Sequence, residues 1–326
     1  MALEVTVVGS YPRPPVEGGE FRLRRALQAV DRGEASADDV RAAEDELTAE
    51  VLAEQAAAGV DLVTDGQVRW DDPLTRVAAG LDGFATSGLL RFFDNNTYFR
   101  QPVVKGPVRR PGPILVDEFA FAAAHSARPV KAVLCGPYTL ATLSADDHYG
   151  DRAALLRDLA AALRDEARDL AASGATVIQI DEPALARVPG QPAGDLDAFA
   201  SVAPTLVDGV EATTVLATYF GDVSPLGSVL FDLPFDGFAL DLVAGPQGAE
   251  LLAALPPDTR LQAGVVDARN TRLEDAGEVA RRVGELAEVV PLERLWLAPS
   301  CGLEFLPREA AQRKLELLAE VKERVS

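Results

Sequence analysis

Cysteine and histidine are scarce in this sequence of 326 residues, which has two of each, one methionine and two tryptophans. Cys135 and Cys301 lie far apart and form no CxxC pair, so no disulfide framework is expected and a reducing cytoplasm is the predicted location. His125 and His148 fall in helix or loop patterns, away from the predicted strand ends. The sequence also lacks a GxSxG elbow, a glycine-rich phosphate loop and an HExxH motif. These absences argue against a nucleophilic hydrolase.

Basic residues are also in short supply, because 31 Lys and Arg face 51 Asp and Glu, for a formal net charge of −20. So acidic a chain argues against nucleic acid or an anionic membrane surface as its partner. Its apolar runs stay well below the roughly 18 residues of a membrane span. The opening stretch, MALEVTVVGSYPRPP, lacks the basic segment and long apolar run of a signal peptide. A soluble cytoplasmic protein is therefore expected.

Short apolar runs rich in β-branched residues alternate with longer Ala/Leu/Arg/Glu segments. The long segments predict helices at 38–59, about 151–172, and 307–325. Strands separated by helices indicate βαβ units and a parallel sheet, and eight such units indicate an α/β fold of the (β/α)8 TIM-barrel type. We expect one domain over residues 1–326. The eight predicted strands are 5–10, 60–67, 130–139, 176–183, 213–221, 237–245, 261–269 and 295–302.

One segment does not fit the βα alternation. Residues 81–114 read as an inserted β-hairpin after the second strand, with Asp94-Asn95-Asn96 as its turn. Long insertions at a barrel mouth often cover the active site, and a plain surface hairpin is the alternative. The sequence leaves both open.

Polar residues follow the predicted strands with unusual regularity, and in barrels the chemistry sits at these carboxyl ends. Turns need polar residues anyway, so no single position is decisive. Buried acids as a set, however, need a cationic partner. We therefore expect an acidic pocket for an amino group, a metal ion or both. The strand-end groups are Ser10, Asp65, Gln67, Cys135, Asp181, Glu182, Thr218, Asp241, Asp267, Ser300 and Cys301.

Five stretches in order, VVGSYPRP, DLVTDGQVRWDD, IQIDEPAL, LATYFGDV and PSCGLEFLP, resemble the cobalamin-independent methionine synthase family along nearly the whole chain. The resemblance implies a barrel enzyme that transfers a methyl group to homocysteine and forms methionine. Long members carry two barrels and use a methylated polyglutamyl folate, whereas short members with one barrel have the length of this chain. The family holds zinc, which lowers the thiol pKa of homocysteine from roughly 8.5 and presents a thiolate to the methyl donor.

The resemblance assigns the catalytic metal ligands only in part. Cys301 matches the last cysteine ligand, and Asp241 stands in place of a glutamate ligand with a shorter side chain. The family's His-x-Cys pair falls on Leu216 and Thr218, neither of which is a good zinc ligand. Zinc is thus expected on Cys301 and Asp241 with an incomplete ligand set.

The resemblance also assigns residues that bind the amino acid. Ser10 matches the serine that contacts the carboxylate of homocysteine, and Asp181 matches the aspartate that binds its ammonium group. Gln67 stands where the family has a glutamate for that ammonium. Glu182, next to Asp181, is included as a substrate-binding residue.

Three functions remain open at this stage. The first is methyl transfer to homocysteine or a similar thiol, with methylfolate or a methylcorrinoid protein as donor. The second is an accessory barrel that pairs with a separately encoded catalytic barrel, since Leu216, Thr218 and the TYFGDV and RFFDNNTYF stretches resemble the zinc-free N-terminal barrel of long members. The third is a different reaction that reuses the acidic mouth.

Overall fold

The fold is a ring of parallel strands covered by helices. The structure, a computed structural model, describes residues 3–93, 95 and 97–325. Its strands, in chain order, are β1 (Glu4–Val5), β2 (Asp82–Arg91), β3 (Tyr98–Arg109), β4 (Ala132–Cys135), β5 (Ala145–Asp146), β6 (Val177–Asp181), β7 (Thr213–Thr218), β8 (Gly237–Asp241), β9 (Arg260–Val266) and β10 (Leu295–Pro299).

Seven strands pair side by side in the order β1-β10-β9-β8-β7-β6-β4, and every pairing is parallel. Two parallel bridges, Thr6 with Leu62 and Val63 with Val130, link β1 to β4 through the second predicted strand. The ring therefore closes with eight contributing segments. The predicted α/β class and (β/α)8 architecture are confirmed.

The second predicted strand, 60–67, is wrong as a full strand, because only its bridges at residues 62 and 63 remain. The side chain of Gln55 hydrogen-bonds to both backbone groups of Thr64. It accepts from the Thr64 N–H at 3.0 Å and donates to the Thr64 carbonyl at 2.9 Å. The chain then turns at Gly66, whose φ is +72°. These side-chain hydrogen bonds replace the next backbone pairing of a strand.

The predicted helices at 38–59, 151–172 and 307–325 are confirmed, and local signals explain two of their starts. Ser36 and Asp39 form a capping box before the first, and the side chain of Asp151 caps the second. The helices are α1 (Arg22–Asp31), α2 (Ala37–Ala57), α3 (Thr75–Ala78), α4 (Val116–His125), α5 (Pro137–Leu143), α6 (Arg152–Ala172), α7 (Leu196–Ala200), α8 (Ala203–Val207), α9 (Ala276–Ala287) and α10 (Arg308–Val325). Short 3-10 helices span Pro183–Leu185, Ser224–Leu226, Ser228–Asp232, Pro246–Ala254 and Leu292–Arg294.

Several predicted strands extend too far at their carboxyl ends. The prediction 130–139 runs into α5, which begins at Pro137, because proline fixes a φ suited to the first helical turn. The strands β6, β8 and β10 are buried at every residue, as expected for strands covered on both faces. Within the described residues, no helix has both the length and the apolar character needed to cross a membrane. The assignment of residues 1–326 to one domain stays a prediction.

The predicted insertion at 81–114 is confirmed as a hairpin, in which β2 and β3 pair antiparallel. Asp94 and Asn96 of its predicted turn lie outside the described residues. The rings of Phe92 and Phe93, before that turn, lie 5.9 and 5.7 Å from the ring of Phe220, which follows β7 at the barrel mouth. The hairpin thus reaches over the strand ends, which favours the covering role.

The hairpin's return path is fixed to the barrel by one buried carboxylate. Glu166 of α6 is fully buried and accepts hydrogen bonds from the backbone N–H groups of Ile114 at 2.9 Å and Leu115 at 2.7 Å. The Arg110 guanidinium, just after β3, donates to the same carboxylate at 2.7 Å. This glutamate therefore joins the insertion to a helix of the barrel wall.

We expect Glu166→Ala to lower the free energy of unfolding by about 3 kcal/mol, because two buried N–H groups and a guanidinium would lose their acceptor. Urea unfolding followed by circular dichroism measures the change. Asp169→Ala is the matched control, since Asp169 lies on the same helix and pairs with the same arginine but is 46% exposed. The control should lose less than about 1 kcal/mol. Equal losses in the two variants would contradict this account.

Candidate active site

A small cavity opens at the carboxyl ends of the strands, beside Phe92 of the hairpin. A neighbouring cavity shares four of its lining residues and extends toward Trp70 and Cys135. A larger cavity lies at α1 and α2, but its lining contains none of the strand-end residues. We therefore place the candidate site at the mouth. The mouth cavity is lined by Val8, Gly9, Ser10, Gln67, Pro73, Phe92, Asp181, Tyr219, Phe220, Gly302 and Glu304.

Asp181, the last residue of β6, lies in this cavity with both carboxylate oxygens hydrogen-bonded. Its Oδ1 accepts from Gln179 Nε2 at 2.7 Å, and its Oδ2 accepts from the hydroxyl of Tyr219 at 3.0 Å. Burial raises the pKa of Asp181 to about 7. A buried carboxylate held in this way can bind a ligand's ammonium group.

Ser10 lies across the same cavity, and its hydroxyl donates to the carboxylate of Glu304. The loop after β10 is fixed there by a second bond, from the Leu303 N–H to the Ser10 carbonyl at 2.9 Å. Gly302 leaves room for this contact, since a Cβ there would collide with the Ser10 hydroxyl and the Glu304 carboxylate unless they moved. Burial raises the pKa of Glu304. Glu304 was not among the predicted site residues, although it lies three residues after Cys301 in the PSCGLEFLP stretch.

Gln67 also lines the cavity, and its backbone is in the left-handed region, with φ +52°. Phe220, on the opposite side, has φ +70°. Backbone strain at residues other than glycine concentrates at functional sites, because the surrounding structure must hold it in place. Gly9 leaves room for Gln67, since an added Cβ would lie 3.1 Å from its amide nitrogen.

Glu182 turns away from the cavity, despite its place next to Asp181. It is fully buried, and its carboxylate accepts from the backbone N–H groups of Tyr138 at 2.8 Å and Thr139 at 2.6 Å. These are the first N–H groups of α5, so Glu182 stabilises the start of that helix. Burial raises the pKa of Glu182 to about 8. The structure does not bring this predicted substrate-binding residue to the site.

Asp241, at the end of β8, has its carboxylate bound to the backbone. Its Oδ1 accepts from the N–H groups of Val243 at 3.0 Å and Ala244 at 2.8 Å, and its Oδ2 accepts from the Phe220 N–H at 3.1 Å. Burial raises the pKa of Asp241 to about 6. Cys301 is fully buried, its sulfur lies 3.5 Å from the Gly302 carbonyl, and burial raises the pKa of its thiol well above the usual value.

The residues that the resemblance assigns to zinc do not assemble a ligand set in this fold. Leu216 is a buried apolar residue of β7, and the Thr218 hydroxyl donates to the Ala239 carbonyl at 3.2 Å. Among residues 3–93, 95 and 97–325, no group of three or more His, Cys, Asp or Glu side chains is arranged to hold a metal ion. Cys301 and Asp241 alone fall short of a tetrahedral site with one open position.

A family model described as "Cobalamin-independent synthase, Catalytic domain" matches residues 3–324 of the chain. A methionine synthase of Saccharolobus solfataricus is 35% identical over 321 residues, covering 98% of this chain and 93% of that protein. A methionine synthase of Sulfurisphaera tokodaii is 33% identical over 315 residues, covering 96% and 89%.

Solved structures agree on the fold. A B12-independent methionine synthase from Shewanella sp. W3-18-1, in complex with selenomethionine, has a TM-score of 0.82 at 21% identity, covering 100% of this chain and 98% of that one. A putative vitamin-B12 independent methionine synthase from Listeria monocytogenes has a TM-score of 0.78 at 20% identity, covering 98% and 96%. Because the family model and the sequence relatives span nearly all of this chain, it belongs to the cobalamin-independent methionine synthase family.

Proposed function

We propose that this chain transfers a methyl group to the thiol of homocysteine and forms methionine, with the amino acid held in the mouth cavity. The observation that carries the proposal is the cavity itself, in which Asp181, Ser10 and Gln67 meet under an aromatic cover. These are three of the four residues that sequence analysis assigned to the amino acid. The named relatives, which are methionine synthases, support the same reaction.

Each side chain has a role that follows from its chemistry. Asp181 accepts hydrogen bonds from the ligand's ammonium group, and the Tyr219 hydroxyl holds that carboxylate in place. Ser10 donates to the ligand's carboxylate once Glu304 releases its hydroxyl. Phe92 and Phe220 offer an apolar wall for the ligand's side chain. In the reaction, the homocysteine thiol releases its proton to solvent and its sulfur bonds to the methyl carbon, while the bond between that carbon and its donor breaks with the electron pair left on the donor.

Methylfolate and a methylcorrinoid protein are the two donor classes that we propose. Bound zinc would lower the pKa of the homocysteine thiol. The residues present do not fit a complete zinc site, since Asp241 is bound to three N–H groups and the Leu216 side chain is aliphatic.

The ligand shortfall favours a second candidate function. In it, this chain is an accessory barrel that binds a separately encoded methionine synthase barrel, and the partner completes the metal site. Leu216 and Thr218 at the expected His-x-Cys positions motivate this candidate. Either function fits the cytoplasmic location that the sequence predicts.

We expect Asp181→Asn to weaken L-methionine binding by roughly 30-fold, because a charge-assisted hydrogen bond contributes about 2 kcal/mol. The pKa of Asp181 is raised to about 7, so its carboxylate is mostly protonated at pH 6 and mostly charged at pH 8. The ratio of wild-type to variant affinity should therefore increase from pH 6 to pH 8. Isothermal titration calorimetry measures both quantities.

Asp258→Asn is the control for this experiment, since Asp258 is exposed in the turn before β9. Wild-type affinity should persist in the control at every pH. Unchanged methionine binding in Asp181→Asn would refute the role of Asp181.

Glu304→Gln should tighten L-methionine binding roughly fivefold at pH 8. The substitution removes the negative charge that lies beside the ligand's carboxylate at Ser10, and relief of that repulsion is worth about 1 kcal/mol. The amine 3-(methylthio)propylamine has no carboxylate and should show no gain. Glu293→Gln, exposed before β10, is the matched control. Weaker binding of both ligands to Glu304→Gln would instead mean that Glu304 binds the ammonium group beside Asp181.

The zinc content of the chain, purified without chelator or affinity tag, should be well below one atom per chain by plasma mass spectrometry. The reason is that Cys301 and Asp241 provide at most two ligands. Cys301→Ser should change this content little, as should the control Cys135→Ser. Such a result would show that this chain alone does not complete a zinc site, so zinc-assisted methyl transfer would require ligands from outside the chain. Near-stoichiometric zinc that is lost only in Cys301→Ser would contradict the ligand geometry and support methyl transfer by the chain alone.

A further inference from the structure

Lys131 lies inside the barrel, directly before β4, where barrels usually contain packed apolar side chains. It is 1% exposed, and its Nζ donates to the Val7 carbonyl at 2.6 Å, Gln179 Oε1 at 2.6 Å and Gln262 Oε1 at 2.8 Å. Three acceptors match the three N–H groups of an ammonium. Burying a charged amine is unfavourable, so the barrel contains a polar group that its core packing does not require.

Gln179 connects this ammonium to the candidate site. Its amide oxygen accepts from Lys131, while its amide nitrogen donates to the Val8 carbonyl at 2.6 Å and to Asp181 Oδ1 at 2.7 Å. Gln179 and Asp181 lie two residues apart on β6, so both side chains point to the same face. A flipped amide would put N–H groups against the ammonium and oxygen against the carboxylate. Lys131 therefore fixes the orientation of Gln179, and Gln179 presents an N–H to Asp181.

We propose that Lys131 and Gln179 are positioning residues that hold the Asp181 carboxylate in its orientation and in its charged form for binding the substrate's ammonium group. The inference deepens the proposed function and rests on it. The Lys131 side chain acts on Asp181 through the Gln179 amide. It remains outside the cavity, since Lys131 is absent from the cavity lining. Asp181 keeps its second oxygen on Tyr219.

Other titratable groups also face Asp181. Tyr219 donates to it from the segment after β7, and Glu304 opposes its charge from the loop after β10. Cys135 of β4 and Glu182, the next residue, also interact with it electrostatically. Burial lowers the pKa of Lys131 to about 7, and in its ammonium form Lys131 favours the ionised Asp181 carboxylate. Loss of Lys131 or of Gln179 should therefore make Asp181 harder to ionise.

The test reads the titration of Asp181 directly, by NMR of protein labelled with ¹³C at the Asp carboxyl carbon. The Asp181 signal is the one missing from Asp181→Asn. Lys131→Met and Gln179→Met should raise its midpoint by about one pH unit, because each removes a group that favours the carboxylate. Both variants should also weaken L-methionine binding several-fold at pH 7, with the loss diminishing at higher pH.

Gln262→Met is the matched control, because Gln262 contacts the same ammonium but does not contact Asp181. It should lower thermal stability while leaving the Asp181 midpoint unchanged. If Gln179→Met does not fold, Gln179→Asn keeps an amide in the barrel but shortens its reach to Asp181, and should raise the midpoint likewise. The inference would be overturned if the folded variants of Lys131 and Gln179 titrated Asp181 with the wild-type midpoint, or if Gln262→Met shifted that midpoint equally. Absence of methionine binding by the wild-type protein would overturn the proposed function instead, and the NMR midpoints would still test the inference.

Discussion

Closure of a parallel strand ring is the constraint on which the candidate site depends. Parallel pairing puts the carboxyl end of every strand at one rim, and the bridges at Leu62 and Val63 complete the ring where a full strand is missing. Ser10 and Glu304 are 294 positions apart in the sequence, yet they share a hydrogen bond at that rim. Residues from both ends of the chain therefore build one cavity.

The barrel mouth contains acidic side chains that repel one another and that the fold buries. Asp181 and Glu304 line the same cavity, and burial raises the pKa of each. The hydroxyls of Tyr219 and Ser10 offset part of that cost from the cavity side, while Lys131 compensates from inside the barrel. An incoming ammonium group would reduce the remaining repulsion. The arrangement therefore suits an amino acid better than it suits an anionic ligand.

The family resemblance places Asp241 and Cys301 correctly at two strand ends, but the two side chains do not form a zinc site there. Asp241 occupies the expected strand end, but its short side chain folds back onto the N–H groups two and three residues later. Cys301 occupies the other expected strand end, but burial favours its protonated thiol. Family membership over the whole chain and an incomplete ligand set are compatible if the barrel works beside a partner.

The sequence by itself determined the alternation of strands and helices, the hairpin insertion and the set of polar strand ends, because periodicity, caps and turn residues are local signals. It also indicated Ser10, Gln67 and Asp181 through motifs that follow individual strands. Only the tertiary structure decided which of these groups meet. In the folded chain, Glu182 accepts hydrogen bonds at the start of α5, and Gln55 pairs with the backbone of Thr64 where a strand would. Ser10 donates to Glu304, and Lys131 donates to Gln179. Most of those contacts join residues that are distant in sequence, and their geometry depends on how the closed ring packs.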